Sequence, residues 1–371
     1  MLGPGKVAVF IDPSSRHYYR DELFNPSSRH NRDDCLTPFI HLRNRLRGSG
    51  IETHTADFLL RGERTSRVNM YFSLGIVDNY QRIGRRRDSI LSGFFAWEVP
   101  INAPTMYRRL RDIAGRFRRL FSYSDAVSLS RFVGGALALR KFHIPQPFEA
   151  PLEPYWRNKD RRFLVLINAN KRPRLRAQEL YSERLRALEY FARDGGIDLY
   201  GFGWDHLPFP VGYGRISGRL LDSGLRIWER MARQWRSRYG ETIALTYRGP
   251  AESKYATLAQ YQFAICFENM VLPGWVTEKI FDCFYCGTIP IYLGAPDIEQ
   301  YVPSNCFIDM RRFGSYGDVA AFLRALGQKD IHAYREHARQ YLTSEAFRPF
   351  RKENFAEHFV RAVQEDAGVG A

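Results

Sequence analysis

The stretch from Phe263 to Gly294, FAICFENMVLPGWVTEKIFDCFYCGTIPIYLG, restricts the fold more than any other. An apolar run, Phe263 to Phe267, stops at Glu268 and Asn269. Pro273-Gly274 then leads into a helical pattern that begins around Thr277, Glu278 and Lys279, and Thr288 to Leu293 is a second apolar run. Short continuous apolar runs separated by a helix are strands buried on both faces, so the unit is strand–helix–strand with parallel strands. Its polar residues fall at the strand end and helix start, the edge where open parallel sheets bind ligands.

The same alternation extends along the chain. Val7 to Asp12, Ile51 to Ala56, Asn69 to Leu74 and Ser92 to Trp97 read as strands, and Thr37 to Arg47 and Pro104 to Phe121 as helices. After a Pro- and aromatic-rich linker, Pro145 to Lys159, come a strand at Phe163 to Ile167 and a helix at Gln178 to Arg193, stopped by Gly195-Gly196. A strand at Ile197 to Gly201 and a helix at Ser253 to Gln260 follow, and the end of the chain is helical. The expected fold is α/β, with two Rossmann-like domains whose parallel sheets face a central cleft. The expected division is residues 1–150, residues 151–345 and a C-terminal helical tail, 346–371.

At 371 residues the chain is long enough for two cores. No apolar run reaches the roughly 18–20 residues of a membrane span, and the opening apolar run is too short for a signal peptide. Five cysteines are too few, and odd in number, for a disulfide scaffold. Cys283 and Cys286 form a lone CxxC inside a helical pattern, with no second pair to complete a metal site. We therefore expect an intracellular protein. Its net charge of +15, with runs such as Arg85-Arg86-Arg87, attracts anionic partners without choosing among them.

Lys279 places a full positive charge where the exposed N–H groups of a helix start already favour an anion, and Thr277 is able to cap that helix. A diphosphate fits such a corner, and so does an ordinary capped surface helix. No Asp-x-Asp occurs in the chain, the usual sign of a metal-bridged nucleotide sugar.

FEN followed by GWVTEKIFDCFYCGTIPIYLG resembles the donor motif of the α-1,3/4-fucosyltransferases, glycosyltransferase family ten, of GT-B type. The resemblance is strong over about 260–310 and moderate over 163–260. Before that it is thin, resting on Glu98-Val99-Pro100-Ile101-Asn102 as an E-x-P-x-N segment. It implies an inverting enzyme that moves L-fucose from GDP-β-L-fucose to a saccharide hydroxyl, in an α-1,3-type linkage. The first domain would bind acceptor and the second donor, with no cofactor and no metal.

Carried over, Lys279 and Arg184 bind the diphosphate and stabilise the departing GDP. Glu278 binds the ribose, Asn269 bonds near the sugar or ribose, and Trp275 and Val276 pack on the nucleotide. Asn168, Tyr247, Lys254, Glu268 and Thr277 complete the donor set, and Glu98 is the general base. Alternatives stand beside three of these. Lys171, Arg172, Arg174 or Arg176 is able to take the place of Arg184, Glu98 is able simply to bond Asn102, and Tyr247 is able to be a buried structural tyrosine. Expected partners are GDP-fucose, an oligosaccharide or lipid-linked glycan, and the anionic inner membrane face, with cytoplasmic location and no nucleic acid. A different nucleotide-sugar donor, or a non-catalytic basic glycan- or polyanion-binding protein, are the rival functions.

Overall fold

The structure is a computed structural model and describes residues 7–133, 138–173, 176–193, 196–211 and 221–368. Met1 to Lys6, Arg174 and Gly195 lie outside the described residues. The chain divides into two compact units. Unit 1 holds residues 1–149, 273–278 and 346–371, and unit 2 holds 150–272 and 279–345.

Unit 1 is built on strands β1 (Val7–Asp12), β2 (Glu52–Thr55), β3 (Val68–Ser73), β4 (Ser89–Phe95), β5 (Leu120–Ser122) and β6 (Arg140–Lys141). They pair in the order β2-β1-β3-β4-β5-β6, all parallel. All six residues of β1 are buried, as a strand covered on both faces requires. The first expected helix is seen at Thr37–Arg47. The next, expected over 104–121, ends at Ala114 with Gly115 as its cap. Its last apolar positions do other work: Phe117 packs on Phe94 at 5.4 Å, and Leu120 and Phe121 enter β5.

The last helix, Lys352–Asp366, packs within unit 1. Phe359 contacts Phe72 at 4.8 Å and stacks on Phe95 at 4.9 Å. Asp366 accepts from both Arg118 and Arg119 at 2.8 Å, and Arg119 also reaches Glu365. The arginines hold the Asp366 carboxyl below the usual carboxylate range, against the opposing effect of its burial.

Two histidines here make stability depend on pH. Burial, with the nearby Lys141 charge, lowers His143 to about 4. Burial also lowers His358 to about 4, with Arg361 adding to the effect. Above the ordinary histidine value of 6.5 both are neutral in the folded and the unfolded chain, so stability is complete there. As pH falls from 6.5 the unfolded chain takes up protons that the folded protein refuses, and the loss continues to about 4. Each histidine then costs at most about 3 kcal/mol. Melting temperature should fall steadily from pH 7 to 4.5, and a His143→Asn/His358→Asn variant should show a flatter profile over that window.

Unit 2 contains β7 (Arg162–Ile167), β8 (Lys171–Pro173), β9 (Asp198–Tyr200), β10 (Phe209–Val211), β11 (Tyr261–Phe267), β12 (Ile289–Leu293) and β13 (Ile308–Asp309). Five form a parallel sheet in the order β13-β12-β11-β7-β9, and β8 pairs with β10 alone. The core joins Leu164, Phe263, Ile265 and Ile291 of the sheet to Leu188 and Phe191 of helix Tyr181–Ala192. The linker residues hold a short helix, Glu153–Trp156, and Trp156 is buried. A 26-residue helix, Leu221–Thr246, occupies a span for which the sequence reading drew no element. Cys283 and Cys286 are buried and free on helix Glu278–Cys286, as two small apolar residues.

Candidate active site

The strand–helix–strand unit folds as its pattern predicts. β11 ends at Phe267, helix Glu278–Cys286 follows, and β12 pairs parallel to β11 from Phe263↔Ile289 to Phe267↔Leu293. Glu268 therefore stands just past the carboxyl end of β11. Its side chain is fully buried and accepts from Lys279 Nζ at 3.1 Å, while Lys279 keeps 25% of its side chain exposed. The buried carboxylate anchors the lysine at this edge of the sheet. Gly294 makes room for this pair, because a Cβ there would lie 2.5 Å from Glu268 Cγ.

Arg184 lies on helix Tyr181–Ala192 and is 2% exposed. Its Nε and Nη2 donate to the Phe267 carbonyl at 3.2 and 2.6 Å. Nη1 donates to Asn168 Oδ1 and Nη2 to Asn269 Oδ1, each at 3.0 Å. The guanidinium also lies over the Tyr181 ring at 4.8 Å. Burial pulls its pKa down, with Tyr181 and Glu268 opposing that effect. One planar side chain thus ties the end of β11 to the loop after β7 and fixes two of the predicted donor residues, Asn168 and Asn269. Gln178 adopts φ 59° in this loop, and the backbone bonds Leu180 N to Asn269 O and Val271 N to Gln178 O sew it to the residues after β11.

Two other predicted donor residues also have partners within unit 2. Tyr247 donates from its hydroxyl to the Gly201 carbonyl at 2.9 Å. Lys254 pairs at 2.5 Å with Asp282, which is 1% exposed.

Residues 273–278 belong to unit 1 and carry Trp275, Val276, Thr277 and Glu278. The first three are buried and Glu278 is half-buried. Ser124 Oγ donates to the Pro273 carbonyl at 2.6 Å, and the Trp275 ring lies 4.2 Å from that of Tyr123. Gly274 has φ +75°, and a Cβ there would sit 2.2 Å from the Tyr123 carbonyl oxygen, so only glycine fits. The Trp275 indole N–H is buried without an acceptor among the described residues.

Glu98 lies beyond the end of β4 and is half-buried. Its Oε2 accepts from Asn102 Nδ2 at 3.1 Å. Its carbonyl accepts from the Tyr107 hydroxyl at 3.0 Å and from that of Tyr123 at 2.9 Å. The ring of Tyr123 therefore links the Glu98 backbone to Trp275 inside one unit. Sequence reading assigned no role to either tyrosine, and nothing local in the sequence marks them. The same sheet edge holds Asp12 at the end of β1, fully buried and accepting from Tyr71, Tyr19 and Asn79. Burial raises its pKa, against those three hydrogen bonds.

Residues 235–361 match the model of the glycosyltransferase family 10 (fucosyltransferase) C-terminal region. This stretch, about a third of the chain, is similar to the family 10 glycosyltransferases. A 106-residue segment is 34% identical to an α-(1,4)-fucosyltransferase of Arabidopsis thaliana, covering 27% of this chain and 25% of that protein. An 87-residue segment is 32% identical to the α-(1,3)-fucosyltransferase FucT of Helicobacter pylori, covering 24% of this chain and 18% of that protein. The matches thus span a quarter or less of these relatives. The structure of Anabaena HepE in complex with UDP-glucose aligns over 97% of this chain and 99% of its own, with TM-score 0.54 and 12% identity. The fold is that of the GT-B glycosyltransferases, with two Rossmann-like parallel sheets, and the stretch that matches the family 10 model includes Glu268, Asn269, Trp275 and Lys279.

Among the described residues, no group of three or more His, Cys, Asp or Glu is gathered that would hold a metal ion. No helix among them is long and apolar enough to cross a membrane.

Proposed function

We propose that the protein transfers L-fucose from GDP-β-L-fucose to a hydroxyl of a saccharide acceptor, with inversion at the anomeric carbon. The observation that carries this reading is the Lys279–Glu268 pair, a partly exposed lysine seated on a buried carboxylate at the carboxyl edge of a strand–helix–strand unit in the stretch that matches the family 10 model. In glycosyl transfer, negative charge develops on the leaving diphosphate, and a fixed cation stabilises it without reorganisation. Lys279 supplies that charge, so no metal is needed. Arg184 fixes Asn168 and Asn269 for the nucleotide and adds its own charge from beneath. The buried Trp275 N–H is a donor reserved for the bound nucleotide sugar, since an orphaned buried donor costs about 1–3 kcal/mol.

Glu98 takes the proton of the attacking acceptor hydroxyl. Its half-buried carboxylate is oriented by Asn102 and its backbone by two tyrosines. Two measurements test the reading. Thermal stabilisation by GDP-fucose, GDP, GDP-mannose and UDP identifies the donor, and a preference for UDP would refute the GDP assignment. Glu98→Gln should then lower transfer to a glycan acceptor by about 10²-fold or more, with GDP-induced stabilisation unchanged. Full transfer by this variant would remove Glu98 from the role of base.

A further inference from the structure

A cavity of about 550 Å³ opens within unit 2, and none of Arg184, Asn269, Glu268 and Lys279 lines it. Its walls come from the β8 strand, the start of helix Tyr181–Ala192 and the middle of helix Leu221–Thr246. Five cations line it: Lys171, Arg172, Arg176, Arg186 and Arg238. The one lining carboxylate, Glu179, accepts from the backbone and hydroxyl of Ser182. Arg186 pairs with Glu183, and Arg238 with Glu189 at 3.5 Å. Among the described residues, no carboxylate lies within ion-pair distance of Lys171, Arg172 or Arg176. The Arg238 guanidinium lies over the Tyr239 ring at 5.1 Å.

Three aromatic residues, Tyr181, Trp235 and Tyr239, line the cavity beside these charges. Aromatic faces beside unpaired cations suit a ligand that has apolar ring faces and a negative group. The volume lies in the range of small-ligand pockets and holds a disaccharide-sized molecule. Reading a nucleobase would need free polar groups for its edge. Asn170 already donates to the Gly203 and His206 carbonyls, Glu179 is tied to Ser182, and Gln234, the remaining amide, is exposed.

We propose that this cavity is a binding site for an anionic saccharide, a sugar carrying a carboxylate, sulfate or phosphate, separate from the nucleotide-sugar site. The site goes beyond the transfer reading, because its occupancy is measured without turnover and stands or falls on its own.

Calorimetric titration of the full chain with a sulfated, uronate-containing disaccharide tests it, with lactose, inorganic phosphate and a short oligothymidylate as comparators. The disaccharide should bind at least tenfold more tightly than lactose or phosphate, and more weakly as salt is raised. Arg172→Gln should weaken it at least tenfold. Trp235→Phe and Arg238→Gln should weaken it while melting close to the wild-type temperature, so that a loss through misfolding is recognised. Saturating GDP should leave the affinity unchanged. Competition with GDP would make the cavity part of the donor site and overturn the proposal. So would equal binding of phosphate alone, tighter binding of the oligothymidylate, or undiminished binding by Arg172→Gln.

Discussion

Lys279→Ala should reduce fucosyl transfer by about 10²–10³-fold, the loss typical of removing one preorganised charge-stabilising group. The same change should lower stability, because Glu268 is fully buried and loses the cation 3.1 Å away. Removing one member of a buried pair costs about 3–5 kcal/mol, and the partial exposure of Lys279 brings the expectation to the lower end. The two effects are separable. Adding Glu268→Gln to Lys279→Ala removes the stranded charge, so the double variant should regain much of its melting temperature and none of its turnover. Recovery of turnover in the double variant would mean that the lysine serves only as a counter-ion for Glu268.

Arg184→Ala should be the most destabilising change in unit 2. It deprives the buried Phe267 carbonyl of two donors, releases Asn168 and Asn269, and opens a cavity over Tyr181. The expected cost is about 3–5 kcal/mol. Arg184→Lys keeps the charge, but a single ammonium does not span three acceptors held in one plane. It should recover part of the stability and little of the nucleotide affinity. Denaturant unfolding and GDP titration of both variants check this. Wild-type GDP affinity in Arg184→Lys would show that the arginine contributes charge alone and does not position the two asparagines.

The strands were the most legible part of the sequence. β1 at Val7–Asp12 falls where the apolar run places it, and β11, β12 and helix Glu278–Cys286 follow their pattern closely. A buried parallel strand declares itself because both of its faces must be apolar. Helix ends were less legible. Phe117 and Leu120 keep helical spacing after Pro104, yet one packs from a turn and the other sits in a strand, since spacing records burial and not the element that provides it. Helix Leu221–Thr246 went unread because Gly224 and Gly240 interrupt its pattern and charged residues are scattered along its sequence.

The sequence by itself determined the class of fold, the strand–helix–strand unit, the placing of Glu268, Asn269 and Glu98 past strand ends and that of Lys279 at a helix start, because these follow from local periodicity and from where a strand must stop. Only the tertiary structure decided what those residues touch. It seated Lys279 on Glu268, buried Arg184 beneath Phe267 and its two asparagines, joined Glu98 to Trp275 through Tyr123, and gathered cations and aromatic rings from three separated segments around one cavity. Such contacts join positions tens to hundreds of residues apart, and no local pattern of charge or hydrophobicity encodes them.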